Sequence, residues 1–186
     1  MSRYARCCDR GRISMRIPVF VSAPTVLSAV QQSSYDVLLD HMEKLGLERR
    51  ALGRSDYPAE YPLKEVYQLA RRCSGGMILG FIQQRAPSVV SKPGTSSEKK
   101  HRDVSFPTPW NHLEAGILFG LRLPLLVFRE DGVNGGIFDV GASDIFIPPM
   151  PRPTASGHVD PVLMEVILNW QGRVRHHYDK WDPDCP

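Results

Sequence analysis

Strand-like and helix-like stretches alternate along this chain, and that alternation limits the folds open to it more than any other feature. The run Ile17–Ser22 is short, apolar and rich in β-branched and aromatic residues, the mark of a central buried strand. Residues 77–82 and 125–128 repeat the pattern, 47–52 reads as an edge-like strand, and 145–147 as a last short one. Apolar residues recur at helical spacing between them. Leu38, Met42 and Leu45 mark a helix over 35–45, after a polar loop that reaches Ser34, and Gly46 caps it. Pro62 opens a second helix with Leu63, Val66, Tyr67 and Ala70 as its buried stripe. Thr108 as N-cap and Pro109 at the first helical position open a third, running to about Arg122. Val162, Leu163, Val166, Ile167, Trp170 and Val174 mark an amphipathic C-terminal helix. Strands and helices in this order form a parallel sheet with helices on both faces. The expected fold is α/β: a flavodoxin-like three-layer α/β/α arrangement with a mainly parallel central sheet of about five strands and an extra C-terminal helix.

A length of 186 residues suits one domain with an additional segment. Residues 1–16, with Arg3, Arg6, Arg10, Arg12 and Arg16, are expected to be a disordered basic arm. The α/β domain is expected over 17–148. Residues 149–186 supply a stiff Pro-rich connection and the C-terminal helix, packed on the domain. Residues 85–107 hold Pro, Ser, Lys and Gly with few core formers, so a long polar loop is expected there, either a lid or disordered. Cys7, Cys8, Cys73 and Cys185 show neither a metal-ligand spacing nor a redox pair, and point to a reducing, cytoplasmic setting. No apolar run reaches the length of a membrane span. Net charge is only +3, and the basic arm lacks a nucleic-acid-binding fold motif, so no nucleic-acid partner is expected.

The segment Trp110-Asn-His-Leu-Glu114 carries the candidate chemistry. Trp and Glu four residues apart lie on one face of a helix, one above the other. Parallel sheets bind ligands beyond the carboxyl ends of their strands, at the point where strand order reverses. Those ends are expected at 22–24, 53–56, 83–84 and 129–130, and Trp110 and Glu114 follow the third. Glu114 is therefore the catalytic candidate. Trp110, Ser22, Ala23, Pro24, Arg54, Asp56 and Asn111 are the substrate-binding candidates. Each has a plainer reading. Glu114 would complement a helix dipole with Trp110 in the core, Ser22 to Pro24 would be a strand-ending turn, and Arg54 with Asp56 a solvated loop. Asn111 and His112 would be helix surface. Gly132 to Gly136 lacks the strand-to-helix context of a phosphate loop and reads as a turn. His176-His177 near Asp179 and Asp182 reads as a solvated helix end rather than a metal site.

Several of these segments share a pattern with a known family. They are Val19-Phe-Val-Ser22, the stretch 63–74 leading into 77–82, Thr108-Pro-Trp110-Asn-His-Leu-Glu114, and the strand 125–128. Over roughly residues 17–148 the chain resembles the Toll/interleukin-1 receptor (TIR) family, whose members carry a Ser-x-Trp-x-x-x-Glu pattern at the third of these places. Thr108 stands here for the usual Ser, and the loop before it is longer than typical. Ala23-Pro24, and Glu114-Ala-Gly116 with Gly120 and Pro124, resemble more loosely the nucleoside deoxyribosyltransferases. The TIR resemblance implies an enzyme that cleaves the nicotinamide–ribose bond of NAD, by hydrolysis or by cyclisation to a nucleotide signal, as in bacterial antiphage defence. It implies Glu114 as catalytic residue, NAD as substrate with no separate cofactor or metal, and self-association. The looser likeness implies a nucleoside or nucleotide N-glycosidase or deoxyribosyltransferase instead. A nucleotide-sensing or scaffold domain without turnover is the reading from a third class. The chemistry common to the enzymes is a fixed carboxylate beside a sugar carbon that becomes positively charged as the base leaves.

Overall fold

The computed structural model describes residues 16–52, 61–141, 147–152 and 160–180. Four parallel strands form the central sheet: β1 (Ile17–Ser22), β2 (Leu47–Arg50), β3 (Gly76–Gly80) and, after a hairpin described below, β6 (Leu125–Arg129). Their order is β2-β1-β3-β6. The chain leaves β1 to one side to form β2 and returns to the other side for β3. Strand order therefore reverses between β1 and β3, and the crevice outside their carboxyl ends is the natural ligand position of such a sheet.

Alternation along each strand divides the core into two layers. Val19, Val21, Met77, Leu79, Leu126 and Phe128 point to one face, where α1 (Ala29–Lys44) and α4 (Pro161–Lys180) cover them. Phe20, Ile78, Leu125 and Val127 point to the other, under α2 (Pro62–Ala70) and α3 (Pro109–Gly120). Helices on both faces leave β1, β3 and β6 predominantly apolar, as a buried parallel sheet requires. The three-layer α/β/α fold is thus built as the sequence predicts. α4 is part of its core, since Leu163, Ile167, Trp170 and Val174 are buried against the sheet. The outer strand β2 carries Glu48, Arg49 and Arg50, charges that discourage pairing with another sheet edge.

Three expectations need correction. Residues 85–107 are not a structureless loop: β4 (Gln84–Ser91) and β5 (Lys99–Phe106) form an antiparallel hairpin in register from Gln84↔Phe106 to Ser91↔Lys99. Its strands are exposed or half-buried throughout, so no apolar alternation announces them. The first helix begins at Ala29 rather than near Tyr35. Ser28 caps it, and the Ser28–Gln31 pair forms a reciprocal capping box that satisfies the first turn despite its polar sequence. In α2 the buried set is Val66, Leu69 and Ala70, while Leu63 and Tyr67 are exposed. The helix is short and meets the sheet only along that narrower stripe.

The expected fifth strand falls mostly on residues 142–146, which lie outside the described residues. Among the described residues the sheet has four strands, and Pro149 adds a single parallel bridge to Arg129, with Met150 N–H donating to the Arg129 carbonyl at 2.8 Å. Residues 1–15 are likewise outside, and Arg16 forms an exposed ion pair with Glu43 at 3.8 Å. No helix among the described residues is long and apolar enough to cross a membrane.

Candidate functional site

Thr108 and Pro109 fix where the third helix starts, and hence where its side chains point. The Thr108 hydroxyl accepts from Trp110 N–H at 3.3 Å, and Pro109 occupies the first turn, where its missing N–H costs nothing. One turn on, Asn111 is fully buried against the end of β1, and its Nδ2 donates to Ser22 Oγ at 2.7 Å. That bond ties α3 to the central strand at the switch point. Trp110 and Glu114 project on the neighbouring line of the helix, over the carboxyl edge of the sheet.

They face a cavity of about 560 Å³. Ala23 and Pro24 form one wall, from the end of β1, and Gln83 and Gln84 another, from the end of β3. Trp110 is 41% exposed, so it is a wall of the cavity and not a core residue. Glu114 lies in the second turn of the helix, beyond the reach of a simple dipole-complementing role in the first. Burial pushes its carboxyl up to about 7 from an ordinary 4.5, and a hydrogen bond from the Ser22 hydroxyl opposes that rise. A hydroxyl has one proton to donate and two lone pairs to accept with. Ser22 uses a lone pair for Asn111 and its proton for Glu114. Asn111, Ser22 and Glu114 therefore form a polar chain, with the carboxylate at its exposed end. Asn111 Oδ1, buried, has no partner among the described residues.

No family model matches the chain, and no curated protein matches it closely. The site stands on its geometry.

Of the sequence-predicted residues, Glu114, Trp110, Ala23 and Pro24 meet around one cavity. Ser22 and Asn111 do not reach its wall; each is at least 99% buried and bonded behind Glu114, where they position the carboxylate rather than touch a ligand. Arg54 and Asp56 lie outside the described residues. His112 packs edge-on against Phe138, ring centroids 5.3 Å apart, and takes no part in the cavity. Burial pushes His177 below its usual range, and the described residues contain no group of three or more His, Cys, Asp or Glu able to hold a metal ion. Residues 132–136 turn through positive φ at Gly132, Gly135 and Gly136.

Sequence reasoning missed the roles of Gln83, Gln84, Thr25 and Val26, which also line the cavity. Only the first two carried a signal, as the residues just after a buried strand. A second and larger cleft, about 760 Å³, lies on the opposite face of the sheet beneath the Pro-rich segment. The smaller cavity is the candidate for chemistry, because a carboxyl with a strongly shifted pKa beside an aromatic wall belongs to it alone.

Proposed function

We propose that this chain cleaves the N-glycosidic bond between nicotinamide and ribose in NAD, by hydrolysis or by cyclisation to a nucleotide signal. The observation that carries the reading is Glu114: one half-buried carboxyl, held by Ser22 and Asn111, opening beside Trp110 at the switch point of a parallel sheet. As the bond breaks, positive charge grows on the ribose ring. A carboxylate fixed in a partly dried cavity stabilises that charge more strongly than water does. Nicotinamide in NAD is already cationic and leaves as a neutral base, so no proton donor is needed. With its pKa near 7, Glu114 loses its proton readily once a cationic substrate is beside it. Trp110 offers a flat face to the leaving ring or the sugar.

The test is nicotinamide release from NAD by concentrated protein and by Glu114→Ala, both checked for folding by circular dichroism. Release is expected to fall by about 100-fold or more in the variant. Wild-type protein that releases none, under conditions that also promote self-association, overturns the reading.

The same pKa favours a second reading. A carboxyl near 7 is partly protonated at neutral pH and can hand its proton to a neutral base, which a nucleoside N-glycosidase or deoxyribosyltransferase requires. A panel of nucleosides run beside NAD separates the two.

A further inference from the structure

The cavity at Glu114 does not end at its own walls. Gln83 and Gln84 also line a smaller hollow of about 360 Å³, which adds Ser28, Gln31 and Glu130. Ile82, Arg85 and Glu130 of that hollow in turn line the 760 Å³ cleft. The three share walls in sequence, and residues 82–85 are their common floor. A groove thus passes over the carboxyl edge of the sheet, from the α2/α3 face to the α1/α4 face.

The far end of the groove is furnished for a different part of a ligand. Its wall is apolar, with Ile82, Pro149, Met150 and Leu163, and Met150 and Leu163 are buried. Charged groups line the rest: Arg85 and Glu130, an Asp131–Arg152 ion pair at 3.0 Å, and Asp160, whose Oδ1 accepts from Val162 N–H at 2.9 Å. Glu130 is held rigidly: its Oε2 accepts from Ile82 N–H at 2.5 Å and from Gln31 Nε2 at 2.9 Å. Gln31 is locked in turn by the capping box of α1 and by its bond to the Ile82 carbonyl at 3.1 Å. Glu130 Oε1 has no partner among the described residues, so a preset acceptor remains. Arg85, the second residue of β4, likewise has no side-chain hydrogen bond or ion pair among the described residues. A free guanidinium suits phosphate, a fixed carboxylate oxygen suits sugar hydroxyls, and a flat apolar wall suits a base.

The geometry points to a second subsite in the 760 Å³ cleft, which takes the base–ribose–phosphate half of a dinucleotide whose other ribose lies against Glu114. The assignment rests on the reading of the Glu114 cavity as the place of bond cleavage. It makes one chain sufficient to hold both halves of the substrate. Arg85 sits where the linking phosphates cross from one cavity to the next, and Glu130 beside the second ribose.

Adenosine monophosphate and ADP-ribose test this without any turnover, by titration calorimetry on the folded protein. AMP is expected to bind, and to weaken about 10-fold or more in Arg85→Ala and in Val162→Trp. Val162 is exposed on the rim of the far cleft, so the larger ring fills the cleft without disturbing the core. ADP-ribose, which reaches both cavities, is expected to bind about 10-fold tighter than AMP. No AMP binding, or binding that Val162→Trp leaves unchanged, overturns the subsite. Equal affinities for AMP and ADP-ribose overturn the continuous groove. Neither ligand contains a nicotinamide bond, so these results stand apart from the outcome of the nicotinamide-release assay.

Discussion

Glu114 sits under two opposed influences. Burial favours the neutral acid, and the Ser22 hydroxyl favours the anion, with burial ahead. The consequence for stability has a definite sign. In the unfolded chain the carboxyl titrates near 4.5 and in the folded protein near 7, so between those values the folded state binds more protons. Stability linked to this group is fully present below pH 4.5 and is lost as pH rises through 7. At pH 8 the folded protein carries an ionised carboxylate in a place that resists it, a penalty of up to about 3 kcal/mol. Glu114→Gln removes the titration while keeping the shape. Urea unfolding is expected to show the variant more stable than wild type at pH 8, with the advantage gone by pH 4. A difference independent of pH would refute the account. Such a placement fits the catalytic role proposed for Glu114.

At the scale of elements, the hairpin β4–β5 is the part least tied to the rest. Its contacts run overwhelmingly between its own two strands, and its one bridge beyond itself among the described residues is Ser105 to Val133, near the base. The tip beyond Val89↔His101 touches no core cluster. Joining Val89 to His101 through an Asn-Gly turn is therefore expected to change unfolding free energy by less than about 0.5 kcal/mol. A larger loss, read by chemical denaturation, would mean that the tip packs on the domain. The same independence made the hairpin illegible in sequence. A strand is recognised by one dry face, and Arg85 to Lys100 has none, so its Pro, Ser and Lys read as loop. The inner strands β1 and β3, and β6, were legible for the opposite reason: buried on both faces, they are predominantly apolar. α3 and the pairing of Trp110 with Glu114 were legible because a cap, a proline and a four-residue spacing are local. The start of α1 was signalled only by the capping box Ser28–Gln31, which a polar stretch concealed. The roles of Ser22, Asn111 and the far cleft depend on chain crossings that no spacing records. Asn111 meets Ser22 across 89 residues, and the cleft gathers α1, the end of β3, the end of β6 and α4.

Over the whole molecule, the two apolar layers are closed unequally. The α2/α3 side is covered by helices that precede β6 in sequence, whereas the α1/α4 side depends on a helix that follows every strand of the sheet. Trp170 is the largest side chain in that closure. It is fully buried, and its Nε1–H donates to the Pro124 carbonyl at 3.0 Å, just before β6 begins. Trp170→Ala is expected to cost about 3–5 kcal/mol, through the lost contacts and the cavity left over β3 and β6. Equilibrium denaturation checks it, and a cost under about 1 kcal/mol would show that α4 is not part of the core. The arrangement also bears on how the protein is made in the cell. A ribosome delivers residues in order, so the part of this face that α1 does not cover stays open until Trp170 has followed β6 out of the exit tunnel. During that interval the nascent chain presents one sticky flank to everything around it, and slow codons placed between β6 and α4 would lengthen the exposure. The position of a single helix thus sets when this flank of the sheet closes.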